Sequence, residues 1–195
     1  MNQSGKEIWL IRHGETEWSV SGAHTGLTDL PLTARGERQA EQLSQYLNGR
    51  RFALVLTSPR KRARDTCQMA GYDSVAQIEP ALGEWNYGEY EGHTTSEIRD
   101  RAPDWSLWEH GVPKGETIQQ VAERARAVMS RCLSVEGDVA LFAHGHILRI
   151  LAACWLDLSP QAGRFFALSP GAVSILGFER ETRVIRMWNC PVEER

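Results

Sequence analysis

Two short apolar runs, each ending at a histidine motif, constrain this chain most. Ile8 to Ile11 stops at Arg12-His13-Gly14, and Val139 to Ala143 stops at His144-Gly145-His146. Short apolar runs bounded by such breaks read as buried strands. Phe52 to Leu56 has the same character, and a further strand is expected around Ala76 to Glu79. Helical patterns fill the intervals. Thr33 can cap a helix that buries Ala40, Leu43 and Leu47 and stops at Asn48-Gly49. Ser58 as a cap, with Pro59 in the first helical position, predicts a helix start there. Two short polar helices are expected around Thr95 to Arg101 and Pro103 to His110, with Glu84 to Gly92 as a loop before them. The longest pattern, Glu116 to Val135, puts Ile118, Val121, Ala122, Ala125, Val128, Met129 and Cys132 on the helical period. An apolar helix follows His146 through Leu156, and Ala172 to Phe178 with Arg183 to Trp188 reads as a terminal hairpin or two late strands.

Strands alternating with helices predict a three-layer α/β/α sandwich with a mostly parallel central sheet. Ligands bind beyond the carboxyl ends of the strands in such sheets. His13 and His144 both stand there, which makes them candidates to meet in one pocket.

The 195 residues are enough for one domain, here 1–195, with a small cap inserted at about 93–114. A formal net charge of −3 offers no global field for nucleic acid or anionic lipid, so attraction for an anion must be local. Met1 to Glu7 is polar, and no stretch approaches the roughly 20 apolar residues of a membrane span. Cys67, Cys132, Cys154 and Cys190 are scattered without C-x-x-C spacing, so neither a zinc site nor a disulfide framework is expected. A reducing, cytoplasmic setting fits this usage. No metal or cofactor is expected, and no feature sets an oligomeric state.

Four clusters carry chemistry. In Arg12-His13-Gly14, a neutral imidazole can attack phosphorus, and neighbouring arginines both depress its pKa and neutralise phosphoryl oxygens. The plain alternative is a structural histidine at a strand end. In Ser58 to Thr66, four cations crowd the first turns of a helix, where the macrodipole disfavours them unless an anion compensates. Lys61 and Arg64 read as solvent-facing. In Leu82 to Gly92, Glu84 lies among aromatics and glycines; partial burial against Trp85 or Tyr87 would raise its pKa and suit it to acid catalysis. Glu89 reads as solvated. In Phe142 to His146, His144 kept protonated would stabilise charge on a transferring group. Metal binding by His144 and His146 is the weaker rival, since their spacing lacks a carboxylate partner, and His146 reads as substrate-lining or structural. Trp105 and Trp108 either wall the cleft or are buried.

Together these clusters resemble the histidine phosphatase superfamily, the phosphoglycerate mutase-like fold. Arg12-His13-Gly14 looks like its R-H-G motif, followed by Thr25-Gly26-Leu27-Thr28-Asp29 and Pro31-Leu32-Thr33. Ser58-Pro59 with Arg62-Ala63 and Thr66 resembles its S-P-x-x-R-A-x-x-T helix. Glu84, Gly88 and Glu91-Gly92 resemble its acid loop, Gly115-Glu116-Thr117 its G-E-S/T helix start, and Ala143-His144-Gly145 its second histidine motif. The resemblance implies that His13 is the phosphorylated nucleophile, that Arg12, Arg62 and His144 complete the phosphate pocket, and that Glu84 is the proton donor. It implies substrate contacts at Ser19, Thr25, Gly26, Trp85, Tyr87, Gly145, Arg60 and His24. Serine stands at position 19 where an asparagine is frequent. The short interval from Gly92 to Gly115, and the few residues from Cys190 to Arg195 after the last strand, favour hydrolysis over mutase action. Segments around the motifs look like the sedoheptulose 1,7-bisphosphatase group. That implies a small phosphate ester as partner, with Arg60, His24 or Arg149 receiving a remote phosphate. A mutase, a phosphoprotein phosphatase and a non-enzymatic phospho-ligand sensor are the alternative functions.

Overall fold

A computed structural model describes residues 5–192, so residues 1–4 of the polar N-terminus and 193–195 of the tail fall outside the described residues. The strands are β1 (Ile8–Arg12), β2 (Leu54–Thr57), β3 (Ala76–Ile78), β4 (Val139–Ala143), β5 (Val173–Glu179) and β6 (Thr182–Cys190). They form one six-stranded sheet in the order β3-β2-β4-β1-β5-β6. The first four neighbours run parallel, and β5 is antiparallel to both β1 and β6. The two histidine-terminated runs are adjacent, with Arg12 opposite Ala143.

The helices are α1 (Glu17–Ser21), α2 (Ala34–Leu47), α3 (Lys61–Met69), α4 (Thr95–Arg99), α5 (Leu107–His110), α6 (Ile118–Leu133) and α7 (Gly145–Trp155). Alternation along the strands builds the layers. Ile8 and Leu10 of β1 join a cluster with Val121, Ala125 and Cys132 of α6 and Leu148 and Leu151 of α7. Trp9 and Ile11 face the other way, towards Leu43 and Leu47 of α2 and Cys67 of α3. This is the three-layer α/β/α sandwich expected from the sequence.

Several boundaries differ from expectation. Ser58 does not cap α3. Its N–H pairs with Phe142 O at 2.9 Å, which keeps it on the sheet, and the helix begins at Lys61 after Arg60. The helix expected from Pro103 shrinks to Leu107–His110, because the chain before it turns with Trp105 N on Ala102 O. The expected loop from Glu84 contains a 3-10 turn at Gly88–Tyr90. Helix α1 was not foreseen. Thr16 and Ser19 form a capping box for it, each side chain bonded to the other's main chain, but serine replaces the Glu or Gln that makes such a box recognisable.

The segment after β1 lies backbone to backbone on the start of α2. A Cβ on Gly36 would sit 2.1 Å from Glu15 O, and one on Gly14 would sit 2.3 Å from Gly36 O. Neither neighbour is a flexible side chain, so the chain must shift to accept a methyl group. Gly36→Ala is therefore expected to lose about 1–3 kcal/mol of stability, the usual cost of overpacking, measured as a lower urea midpoint at unchanged slope.

Candidate active site

His13 follows β1 directly. Its N–H donates to Ala143 O at 2.9 Å and its carbonyl accepts from Gly171 N at 3.0 Å, so the main chain is fixed on both sides. Ring Nδ1 lies 2.7 Å from Gly14 O. A carbonyl can only accept, so Nδ1 holds the proton and Nε2 carries the lone pair. The Gly14 N–H is tied in turn to Thr66 Oγ1 at 3.0 Å. Burial, then Arg12 and Arg62, push the His13 pKa well below its ordinary value.

His144 caps α7, and its ring centroid is 5.1 Å from that of His13 at 61°. Its Nε2 lies 2.7 Å from Ser58 Oγ, which accepts from Arg60 N at 3.3 Å. Nε2 is the one acceptor for the serine proton among the described residues, which leaves the ring proton on Nδ1, buried and unpartnered. Burial, then Arg62, His13, Arg12 and Arg60, push His144 well below its usual pKa, against the protonated state expected of it beside a phosphate.

Arg62 is fully buried. Its guanidinium donates to Thr28 O at 2.9 Å, Thr25 O at 3.0 Å and Gly26 O at 3.3 Å. Arg12 donates to Leu168 O. Carbonyls orient both groups but do not neutralise them. The Nε atoms of Arg12, Arg60 and Arg62 are buried without a partner among the described residues. Buried donors on cations in this state are a standing attraction for an anion.

Glu84 is buried as expected, but not bare against the aromatics. Oε1 accepts from Trp85 N and Ile147 N, and Oε2 from His146 N, each at 3.0 Å. Two of these donors belong to the first turn of α7, where helix geometry favours a carboxylate. Glu116 anchors the same loop. It accepts from Asn86 N at 2.9 Å and forms a two-point ion pair with Arg124 at 2.8 and 2.9 Å.

A cavity of about 400 Å³ opens over these groups. Of the residues singled out from sequence, Arg12, His13, Ser19, His24, Thr25, Glu84, Tyr87, Gly145, His146 and Arg149 line it, as do Trp105 and Trp108. Arg62 and His144 are fully buried and are not among the lining residues. Three contacts expected from sequence do not line it. Trp85 is fully buried in the core, with Nε1 on Glu116 O at 2.8 Å. Gly26 serves close packing, since a Cβ there would sit 2.4 Å from Trp85 O. Arg60 is not among the residues that line the cavity, although its charge is felt at His144. Ser19 lines the cavity, but its hydroxyl proton goes to Thr16 O at 2.8 Å. His146 Nδ1 lies 2.7 Å from the Tyr87 hydroxyl, and His144 Nε2 2.7 Å from Ser58 Oγ. Lys61 pairs with Asp65 on the surface, and Glu89 with Lys114.

The sequence reading missed Arg99, Trp18 and the Ser58 contact. Arg99 lines the cavity from α4, with Nε on Trp105 O at 2.9 Å. No pattern in a short polar helix marks one such arginine. Ser58 could have been found only by knowing that β2 and β4 are neighbours.

The family model of the histidine phosphatase superfamily (branch 1) matches residues 8–191. The chain belongs to the histidine phosphatase superfamily. An acid phosphatase of Mycobacterium tuberculosis is 40% identical over 94% of this chain and 92% of its own length. The sedoheptulose 1,7-bisphosphatase of Saccharomyces cerevisiae is 39% identical over 78% of this chain and 68% of its own. The solved structure of an open reading frame product of M. tuberculosis superposes with a TM-score of 0.92 at 38% identity, covering 97% of this chain and all of that one. The enzyme class expected from the motifs, a phosphoric monoester hydrolase, agrees with these relatives. No helix among the described residues is long and apolar enough to cross a membrane.

This histidine phosphatase gathers four depressed imidazoles at one cavity, His13 and His144 buried and His24 and His146 half-buried. His24 is pushed down to about 4, chiefly by burial, and His13, His144 and His146 also fall well below 6.5. The unfolded chain binds protons at these positions before the folded one does, so their contribution to stability is complete above about pH 6.5 and is lost as pH falls. For His24 the loss spans 6.5 down to about 4. Urea midpoints measured across this window are expected to drop steadily with acid, and a flat profile would contradict the burial described.

Proposed function

We propose that this chain hydrolyses a small phosphorylated metabolite, a sugar phosphate or bisphosphate, through a phosphohistidine on His13. The observation that carries this is the His13 tautomer: Nδ1–H is spent on Gly14 O, which leaves Nε2 as the nucleophile. In this reading Nε2 attacks phosphorus and the ester oxygen leaves, taking a proton from Glu84. Arg12, Arg62 and the Nδ1–H of His144 take up charge on the phosphoryl oxygens, which would satisfy their unpartnered nitrogens. Water then attacks the phosphohistidine, the Glu84 carboxylate accepts its proton, and phosphate leaves with His13 restored.

Residues 93–114 act as a cap on a single domain in this reading. Thr95, Arg99 and the 105–108 segment bring aromatic and cationic groups to the cavity mouth. A remote phosphate has fewer receivers than the sequence suggested. Arg60 does not line the cavity, and His24, with a pKa near 4, is not a cation at neutral pH. Arg149 remains, its guanidinium 4.7 Å from the Trp108 ring centre, and Arg99 joins it. The four free cysteines fit a cytoplasmic setting.

The test is turnover of p-nitrophenyl phosphate in the presence of chelator, with rapid quenching to trap an acid-labile phosphoenzyme. His13→Ala is expected to abolish both the trapped phosphate and turnover. Persistence of either refutes the scheme, and turnover only in the presence of a bisphosphoglycerate primer would mark a mutase. In a panel of sugar mono- and bisphosphates, Arg149→Met is expected to raise KM for bisphosphates about tenfold, the effect of losing one charge-assisted contact, while altering KM for monophosphates much less.

A further inference from the structure

His146 has no part in the phosphoryl-transfer scheme, yet it lines the same cavity. Its ring stands among Tyr87, Trp85 and Trp108, with centroids 5.8, 6.3 and 5.3 Å away. One ring nitrogen is committed: Nδ1 lies 2.7 Å from the Tyr87 hydroxyl. Tyr87 is 1% exposed, and its hydroxyl makes no other hydrogen bond among the described residues. A buried phenol has one proton and must place it on an acceptor, and Nδ1 is the acceptor within reach. The ring proton therefore sits on Nε2. That nitrogen is neither bonded to the protein nor sealed from the cavity among the described residues.

The position of the ring matters as much as its tautomer. The His146 main-chain N–H donates to Glu84 Oε2 at 3.0 Å, and ring Nδ1 is 3.9 Å from the same oxygen. The ring is thus tethered beside the carboxyl group proposed to serve the leaving oxygen, and both side chains line the same cavity. We propose that His146 is a specificity-determining contact, whose Nε2–H, with its tautomer set by Tyr87, donates to a hydroxyl or keto oxygen beside the scissile ester. Tyr87 is then a positioning residue. This rests on the phosphatase reading above and narrows its substrates to polyol or sugar esters with an oxygen next to the phosphate-bearing carbon.

Charge supports a neutral contact. Burial, then Arg149, His24 and Arg12, push His146 well below its ordinary pKa, and burial pushes Tyr87 well up. A cationic ring would favour a phosphate. A neutral N–H is suited to an uncharged oxygen, and a donor half-buried among aromatics discriminates against a ligand that seals it off unpaired.

The test compares kcat/KM for p-nitrophenyl phosphate, which has no neighbouring hydroxyl, with that for the best sugar phosphate in a panel of hexose and heptose phosphates. In His146→Phe the ratio of sugar phosphate to p-nitrophenyl phosphate is expected to fall at least tenfold. In His146→Gln, whose amide can replace Nε2–H, most of the ratio is expected to return. Tyr87→Phe is expected to lower it severalfold. Nitrogen NMR of the histidine rings is expected to show His146 as the Nε2–H tautomer at pH 7 in the unaltered enzyme and as a mixture in Tyr87→Phe. Equal losses on both substrates, an unchanged ratio, no sugar phosphate turnover, or an Nδ1–H or doubly protonated ring would each overturn the proposal. Should His146→Phe fail to fold, the wild-type tautomer and the Tyr87→Phe ratio decide. An unaltered enzyme inactive on every substrate overturns the phosphatase reading instead.

Discussion

The parallel pairing of β1 with β4 is the constraint on which the site depends. It sets Arg12 opposite Ala143, so the two strands end level and the next residue of each is a histidine. The His13 N–H continues the ladder by bonding Ala143 O at 2.9 Å. The separation of the two imidazoles is thereby fixed by sheet geometry rather than by loops. The pair is hard to slide, because a one-residue slip would exchange the side chains packed on the two faces, Ile8 and Leu10 for Trp9 and Ile11, and disrupt both clusters.

Around that pair the chain concentrates positive charge with no direct ion pair to Arg12 or Arg62 among the described residues, Glu84 acting on both only at longer range. Arg62 is fully buried and donates to three carbonyls, and Arg12 donates to one. Dipoles of this kind hold a guanidinium in place while leaving its charge available. The same charge, with burial, keeps His13 and His144 unprotonated. One arrangement therefore attracts an anion and preserves a lone pair to attack it. The fold bears the cost of burying those cations, and the large two-faced core supplies the stability that makes it tolerable.

Much of this was legible in the sequence, for reasons that vary by residue. The strands announced themselves as short apolar runs, and α2 and α6 by period and by their threonine caps. His13, His144, Arg12, Arg62 and Glu84 stood in motifs whose order matched a known family. Other features were invisible because they depend on direction in space. Trp85 and Tyr87 are two residues apart, yet one is sealed in the core and the other reaches the cavity wall. Ser58 looked like a helix cap and instead follows β2 directly, with its hydroxyl on an imidazole. Arg99 acquires its place only when α4 folds over the mouth.

The first turn of α7 holds more than one working part. His144 is its N-cap, and the main-chain N–H groups of His146 and Ile147 grip Glu84. An imidazole on the helix and a carboxyl group from a distant loop thus move with one rigid rod. If thermal breathing shifts that rod against the sheet, both groups travel with it, and their mutual spacing survives even when their distance to His13 does not. Alignment errors in such a machine collapse to a single coordinate, the seating of one helix on one strand.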